Sequence, residues 1–210
     1  DEIDWLNVPA PLTTEMLRGK ILLLDFWTYG CINCIHMIPV LKKIEAKFGD
    51  AVAVIGVHSA KFANEGDTAN VREIIQRYDL KHPVINDPEF TLWSAFRVQA
   101  WPTFAVIDPR GHLLAMQGGE IPYEGFDELF THMIAHFDAL GEIDRTPLNQ
   151  QLESAGKPDS LLRYPGKVLV DATGGRVFIA DSNHHRIIVC DLATYAVQTV
   201  IGAGTAGYAD

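Results

Sequence analysis

The side chains of this sequence best suited to chemistry are two cysteines separated by two residues. Cys31 and Cys34 follow an apolar run, residues 21–27, that predicts a buried strand, and they open a segment, residues 31–48, with the apolar periodicity of a helix. A cysteine at the N-terminus of a helix faces unpaired backbone N–H groups and the positive end of the helix dipole, which stabilise a thiolate. Because the thiolate is the form that attacks disulfides, the pair predicts thiol–disulfide exchange.

Zinc binding and haem attachment are the alternative uses of such a pair. A structural zinc usually takes four protein ligands, and the sequence has no second C-x-x-C. Ile35 stands where covalent haem attachment requires a histidine. The sequence therefore disfavours zinc, excludes haem attachment and predicts a reaction that needs no cofactor.

Composition limits the possible partners and compartments. The formal charge of −10 over 210 residues argues against nucleic acid and against an anionic membrane as partners. No apolar run approaches the roughly 18 residues that span a bilayer, and the absence of an initial Met implies that any signal peptide was removed or never included. Three cysteines are too few for a disulfide scaffold. The odd cysteine, Cys190, favours a reducing compartment, so we expect a cytoplasmic location, with a periplasmic or exported one as the alternative.

The elements that must position the cysteines form an alternating pattern over residues 1–144. Strand-like and helix-like stretches follow each other and end in a hairpin and an amphipathic helix, which predicts a three-layer α/β/α domain with a mixed sheet. Residues 145–165 are polar and rich in Pro and Gly, as is typical of a linker. Residues 166–210 predict four short antiparallel strands, which match one blade of a β-propeller.

Several motifs carry a resemblance to known families. LDFW at 24–27, CINC at 31–34 and WPT at 101–103 resemble the thioredoxin fold. PGKVLVD at 165–171 and FIADSNHHRI at 178–187 resemble the first NHL repeat of a β-propeller. Together with GVHSAKF at 56–62, the combination is similar to the NHL-repeat-containing protein two-like family, in which a thioredoxin-like domain precedes an NHL-repeat propeller.

The resemblance implies a role for each site residue. Cys31 would be the attacking nucleophile and Cys34 the resolving thiol, with Asp25 as the proton acceptor of Cys34. Pro102 would be a cis-proline facing the dithiol, with the backbone of Trp101 exposed to an extended substrate peptide. Trp27 is included with Trp101 and Pro102 as substrate-binding. Asp25 also has a simpler interpretation, as a strand-end carboxylate bonded to backbone groups.

The resemblance further implies a disulfide-containing protein or a small thiol as substrate and a protein partner held by the NHL propeller. Gly30 replaces the Trp that usually precedes the first cysteine of thioredoxins, and Ile32-Asn33 replaces Gly-Pro. These departures leave the direction of the redox reaction open. They also motivate an alternative, a redox-inert scaffold for protein–protein interaction. A second alternative is a thiol-dependent peroxide reductase, because residues 28–31 fit a T-x-x-C element, although Leu24 stands where peroxiredoxins carry proline.

Overall fold

The computed structural model describes residues 4–148, 152–153 and 160–207. The chain divides into two compact units, Asp1–Gly156 and Lys157–Asp210. The division falls within residues 145–165, for which the sequence predicts a linker. Of that segment, residues 149–151 and 154–159 lie outside the described residues.

The first unit alternates strands and helices along most of its length, as the sequence pattern predicts. Its elements are β1 (Asp4–Leu6), α1 (Thr14–Leu17), β2 (Ile21–Trp27), α2 (Ile32–Phe48), β3 (Val52–His58), a 3₁₀ turn (Ala63–Gly66), α3 (Thr68–Arg77), β4 (Val84–Asn86), α4 (Thr91–Ala95), β5 (Thr103–Ile107), β6 (Leu113–Gly118) and α5 (Tyr123–Ala139).

The strands form one mixed sheet in the order β1-β4-β3-β2-β5-β6. The central strand β2 runs parallel to β3 and antiparallel to β5. Alternate residues of a strand point to opposite faces. Ile21 and Leu23 accordingly pack among residues of α2 and α5, whereas Leu24 and Phe26 pack on the other face, beside residues of α1 and α4. The predicted three-layer α/β domain with a mixed sheet is confirmed.

The start of the sheet differs from the sequence pattern. Asp4–Leu6, for which the sequence predicts no strand, forms the edge strand β1 and pairs with β4. Three residues are too short for an alternation pattern to be recognised, so only the long-range pairing defines this strand.

The second unit is a four-stranded antiparallel sheet, which confirms the predicted C-terminal β-sheet. Its strands are β7 (Pro165–Asp171), β8 (Arg176–Asp181), β9 (Arg186–Asp191) and β10 (Val197–Ile201), in the order β10-β9-β8-β7. Cys190 is buried in its small apolar core with Val177 and Ile188. In neither unit does a helix among the described residues have the length and apolar character needed to cross a membrane.

Candidate functional site

The two cysteines lie where β2 passes into α2. Cys31 is the N-cap residue of α2, and Cys34 lies within the first turn. Cys31 is partly exposed, whereas Cys34 is 1% exposed, and both are free thiols. The arrangement follows from the sequence, because the apolar strand β2 is buried in the sheet and the apolar stripe of α2 covers it. The N-terminus of α2 therefore lies at the carboxyl end of β2. The structure thus separates an accessible sulfur from a shielded one.

The Cys34 thiol is held in its protonated form. Burial is the main cause that raises its pKa, and the hydrogen bond with Cys31 and the negative charge of Asp25 add to the effect, against a smaller opposing contribution from the Thr28 backbone. A thiol with a raised pKa is a poor nucleophile at neutral pH unless a base removes its proton. A nucleophilic role for Cys34 would therefore need a proton acceptor nearby.

Asp25 is the buried carboxyl group whose charge acts on Cys34. It lies in the central strand, where its register partners are Gly56 of β3 and Phe104 of β5, and it is 4% exposed. Its Oδ1 atom has no hydrogen-bond partner among the described residues. Burial raises the pKa of Asp25 from 3.8 to about 7, although the nearby His82 lowers it in part. A carboxyl group with a pKa near 7 can both accept and release a proton at neutral pH.

Trp101 and Pro102 face the exposed sulfur. The Trp101–Pro102 peptide bond is cis, and the carbonyl oxygen of Trp101 lies 3.8 Å from Cys31 Sγ. The Trp101 indole donates a hydrogen bond to the Ser59 carbonyl oxygen at 2.9 Å, and its ring centroid lies 4.3 Å from that of Trp93. These contacts fix a partly exposed aromatic ring and a backbone segment beside Cys31.

Trp27 lies away from the surface that a substrate could reach. It is 2% exposed and belongs to the apolar cluster that also contains Cys34. Its ring packs edge-on against His58 at 5.1 Å. The structure therefore brings Asp25, Cys31, Cys34, Trp101 and Pro102 together at the dithiol, and it places Trp27 beneath them as a core residue.

Glu65, which the sequence analysis did not identify, stabilises the loop 28–31 that ends in Cys31. It lies in the 3₁₀ turn and is 3% exposed, and its carboxylate accepts a hydrogen bond from the Thr28 hydroxyl. The same carboxylate accepts N–H bonds from the backbone of Lys61 and Phe62. Residues 59–66 carry no periodic pattern, so nothing in the sequence indicates that this carboxylate is buried.

Glu65 also explains the glycine that precedes the first cysteine. A Cβ atom on Gly30 would lie 1.9 Å from Glu65 Oε1, closer than any real contact of this kind. The carboxylate thus occupies the space into which a side chain at position 30 would begin. Only glycine fits this position while Glu65 holds the loop.

His58, the last residue of β3, is a second buried polar residue near the cysteines. Its ring stacks on Tyr29 with the centroids 5.4 Å apart. Burial lowers the pKa of His58 to about 4 and outweighs the opposing effects of Asn86 and Glu65. His58 is therefore neutral at pH 7 and adds no positive charge beneath the loop. Over residues 4–148, 152–153 and 160–207, no group of three or more His, Cys, Asp or Glu side chains is placed to hold a metal ion.

Comparisons with known families match both units. A thioredoxin-like family matches residues 19–113, and the NHL repeat family matches residues 162–190. These ranges lie in the first and second unit respectively.

Three relatives illustrate the range of similarity. The chain is 41% identical over 214 aligned residues to the protein SUPPRESSOR OF QUENCHING 1, chloroplastic, of Arabidopsis thaliana, covering 100% of the chain and 20% of the relative. It is 37% identical over 212 residues to NHL repeat-containing protein 2 of Gallus gallus, covering 100% of the chain and 29% of the relative. The thiol-disulfide oxidoreductase YkuV of Bacillus subtilis is 29% identical over 55% of the chain and 77% of its own length.

A solved structure also has the thioredoxin-like fold of the first unit. The solution structure of a thioredoxin-like protein in the oxidised form superposes with a TM-score of 0.56 at 26% identity, covering 63% of this chain and 88% of that one. The chain spans only about a fifth to three tenths of the two longer relatives, which leaves most of their length without a counterpart here.

Proposed function

We propose that this chain, a thioredoxin-like domain followed by an NHL repeat, catalyses thiol–disulfide exchange through Cys31 and Cys34. One observation carries the proposal. A partly exposed and a buried sulfur interact at the start of α2, with a buried carboxyl group of pKa about 7 beside the buried sulfur. A structural pair of cysteines would need neither the difference in exposure nor the carboxyl group.

The reaction proceeds in two exchanges. The Cys31 thiolate attacks one sulfur of a substrate disulfide, so that a Cys31–substrate disulfide forms and the other substrate sulfur leaves as a thiolate. Asp25 then takes the proton of Cys34, and the Cys34 thiolate attacks Cys31 Sγ. The Cys31–Cys34 disulfide forms, the second substrate sulfur leaves as a thiolate, and two electrons have passed to the substrate. A dithiol reductant restores the starting state, and the opposite direction uses the same steps in reverse.

The relatives support the redox assignment for the first unit. The name of YkuV describes that protein as a thiol-disulfide oxidoreductase, and this chain covers 77% of it. For the present chain we propose a disulfide-containing protein as substrate, because Trp101 offers an extended peptide a carbonyl oxygen and an aromatic ring next to Cys31. The NHL repeat would hold a protein partner. A reducing compartment such as the cytoplasm would keep the buried Cys190 as a free thiol.

Turnover of insulin disulfides by dithiothreitol tests the proposal. The chain should accelerate the reaction, Cys31→Ser should abolish the acceleration, and Cys34→Ser should accumulate a Cys31–substrate disulfide visible by mass spectrometry. Cys190→Ser, which removes the cysteine of the second unit, is the matched control and should retain the activity. A wild-type chain without turnover, or a Cys31→Ser variant with full turnover, would refute the proposal.

A redox-inert scaffold is the second candidate, since Gly30 and Ile32-Asn33 depart from the thioredoxin pattern. It predicts that oxidised glutathione never forms the Cys31–Cys34 disulfide, which thiol titration measures directly. The peroxide-reductase alternative has less support. The Thr28 side chain is buried and its hydroxyl is bonded to Glu65, so it does not turn toward a peroxide at Cys31.

A further inference from the structure

The ring of Trp101 belongs to a closed circuit of contacts. Its indole N–H donates to the carbonyl oxygen of Ser59 at 2.9 Å. The Ser59 hydroxyl donates to Oδ2 of Asp87 at 3.2 Å, and the same oxygen accepts the backbone N–H of Trp93 at 2.9 Å. The Trp93 ring packs on the Trp101 ring with the centroids 4.3 Å apart, which closes the circuit. Asp87 is therefore bonded to both residues that hold the Trp101 ring.

Asp87 is the branch point of this circuit. It follows β4 directly, is 5% exposed, and donates its backbone N–H to the carbonyl oxygen of His58 at 2.8 Å. Its second carboxylate oxygen, Oδ1, accepts the backbone N–H of Leu92 at 3.1 Å. Burial of a carboxylate is costly unless donors surround it, and hydrogen bonds to an ionised acceptor are stronger than neutral ones. Through these bonds Asp87 fixes the end of β3 relative to the start of α4.

The circuit is also attached to the strand that leads to the cysteines. The backbone N–H of Ser59 donates to the carbonyl oxygen of Trp27, the last residue of β2, at 3.0 Å. From there the loop 28–31 leads to Cys31, whose Sγ atom lies 3.8 Å from the carbonyl oxygen of Trp101. The bonds that hold the Trp101 ring therefore start from the same strand that presents the sulfur.

Packing alone accounts for only part of this arrangement. Phe90 lies edge-on to both tryptophan rings, at 5.6 Å from Trp93 and 6.4 Å from Trp101, so the three rings form an apolar cluster. Such a cluster needs no carboxylate, and aspartate is seldom buried. A buried carboxylate that bonds to both supports of one partly exposed ring indicates that the orientation of this ring matters.

We infer that Asp87, acting through Ser59 and Trp93, is a positioning residue that presets Trp101 for a peptide substrate. This inference rests on the proposed function. A ring that is already fixed spares the substrate the entropy cost of ordering it on binding. Because Asp87 acts through the ring, its loss should weaken the binding of a peptide more than it slows the attack of Cys31.

Insulin turnover measures this effect. Asp87→Ala should raise KM for insulin about three- to tenfold with kcat little changed, and should leave the reaction with dithiobisnitrobenzoate, a disulfide without a peptide backbone, nearly unchanged. Ser59→Ala, which removes the hydroxyl and keeps the carbonyl oxygen, should raise KM by less. Asp108→Ala is the matched control and should leave KM unchanged. Asp108 is also 5% exposed and accepts the backbone N–H groups of Arg110 and His112, but it follows the far end of β5.

A double-mutant cycle separates positioning from a general weakening of the fold. In the Trp101→Ala background, Asp87→Ala should cause no further rise in KM for insulin, because the ring that it positions is absent. Hydrogen–deuterium exchange of the Trp101 indole N–H, followed by NMR, gives an independent readout. The exchange should be faster in Asp87→Ala and Ser59→Ala than in the wild type, and unchanged in Asp108→Ala.

The outcomes distinguish this inference from the proposed function. Wild-type turnover with an unchanged KM in both Asp87→Ala and Ser59→Ala would overturn the inference and leave the proposed function standing. An equal rise of KM with and without the Trp101 ring would do the same. If Asp87→Ala does not fold, the Ser59→Ala cycle with Trp101→Ala decides. A wild-type chain without turnover would overturn the proposed function and this inference together.

Discussion

Replacing Asp25 by asparagine should make the protein more stable, and increasingly so as the pH rises. The folded chain raises the pKa of this carboxyl group from 3.8 to about 7, mainly through burial. Between these pH values the unfolded chain has released the proton and the folded chain still holds it, so the free energy of unfolding falls as the pH rises. At about 1.4 kcal/mol per pH unit, the loss amounts to about 4 kcal/mol, and it is complete slightly above pH 7. Asp25→Asn removes this titration while keeping the size of the side chain.

Urea unfolding of the reduced protein between pH 4 and pH 9 measures the effect. All four tryptophans belong to the first unit, so their fluorescence reports the unfolding of that unit. The difference between the variant and the wild type should be small at pH 4 and should grow to several kcal/mol at pH 8. Asp108→Asn is the matched control, because its effect on the free energy of unfolding should change with pH in the opposite direction. Burial raises the pKa of Asp108, but the N–H donors of His112 and Arg110 outweigh it and lower that pKa overall. A difference for Asp25→Asn that stays constant from pH 4 to pH 8 would refute the reasoning.

Three further predictions concern the dithiol and its surroundings. Iodoacetamide should modify Cys31 of the native reduced protein and spare Cys34, because one sulfur is partly exposed and the other is buried with a raised pKa. Both cysteines lie on the tryptic peptide 21–42, so its fragment ions in mass spectrometry identify the modified sulfur, and equal labelling of the two would contradict the assignment. Gly30→Ala should lower the free energy of unfolding by about 1–3 kcal/mol, because its Cβ would overlap the buried carboxylate of Glu65. Gly66→Ala, whose Cβ would meet its nearest neighbour at 3.4 Å, is the control and should cost little. Equal losses for the two variants in urea unfolding would argue against the overlap. Trp101→Ala should raise KM for insulin several-fold more than for a small aromatic disulfide, and equal effects on both would show that the ring does not bind the peptide.

The local part of the site could be predicted from the sequence. The apolar run that forms β2 and the periodic stripe of α2 are signals of short range, and together they place Cys31 at a helix N-terminus. The same holds for the start of α3, where Asp67 accepts hydrogen bonds from the N–H groups of Ala69 and Asn70, as a capping residue should. The family resemblance indicated Asp25 and the cis bond before Pro102, which no spacing rule identifies.

The supporting part of the site could not be predicted, because it depends on contacts between residues far apart in the chain. Glu65 bonds to Thr28 across 37 positions, and His82 bonds to Glu45 across the same number. Burial of a glutamate or a histidine contradicts the ordinary expectation for these residue types, so composition and periodicity point the other way. Trp27 illustrates the converse limit: a motif places it next to the dithiol in sequence, yet strand alternation turns its ring into the core.

The two residues between the cysteines have a separate significance. Ile32 is 65% exposed and Asn33 is also exposed, so neither side chain contributes to the packing of the domain. In the proposed redox couple the intervening dipeptide adjusts the reduction potential, so the side chains that would set this potential differ from those that pack the domain. Exchanging the two side chains should therefore shift the proposed couple toward an oxidant or a reductant without weakening the fold that carries it.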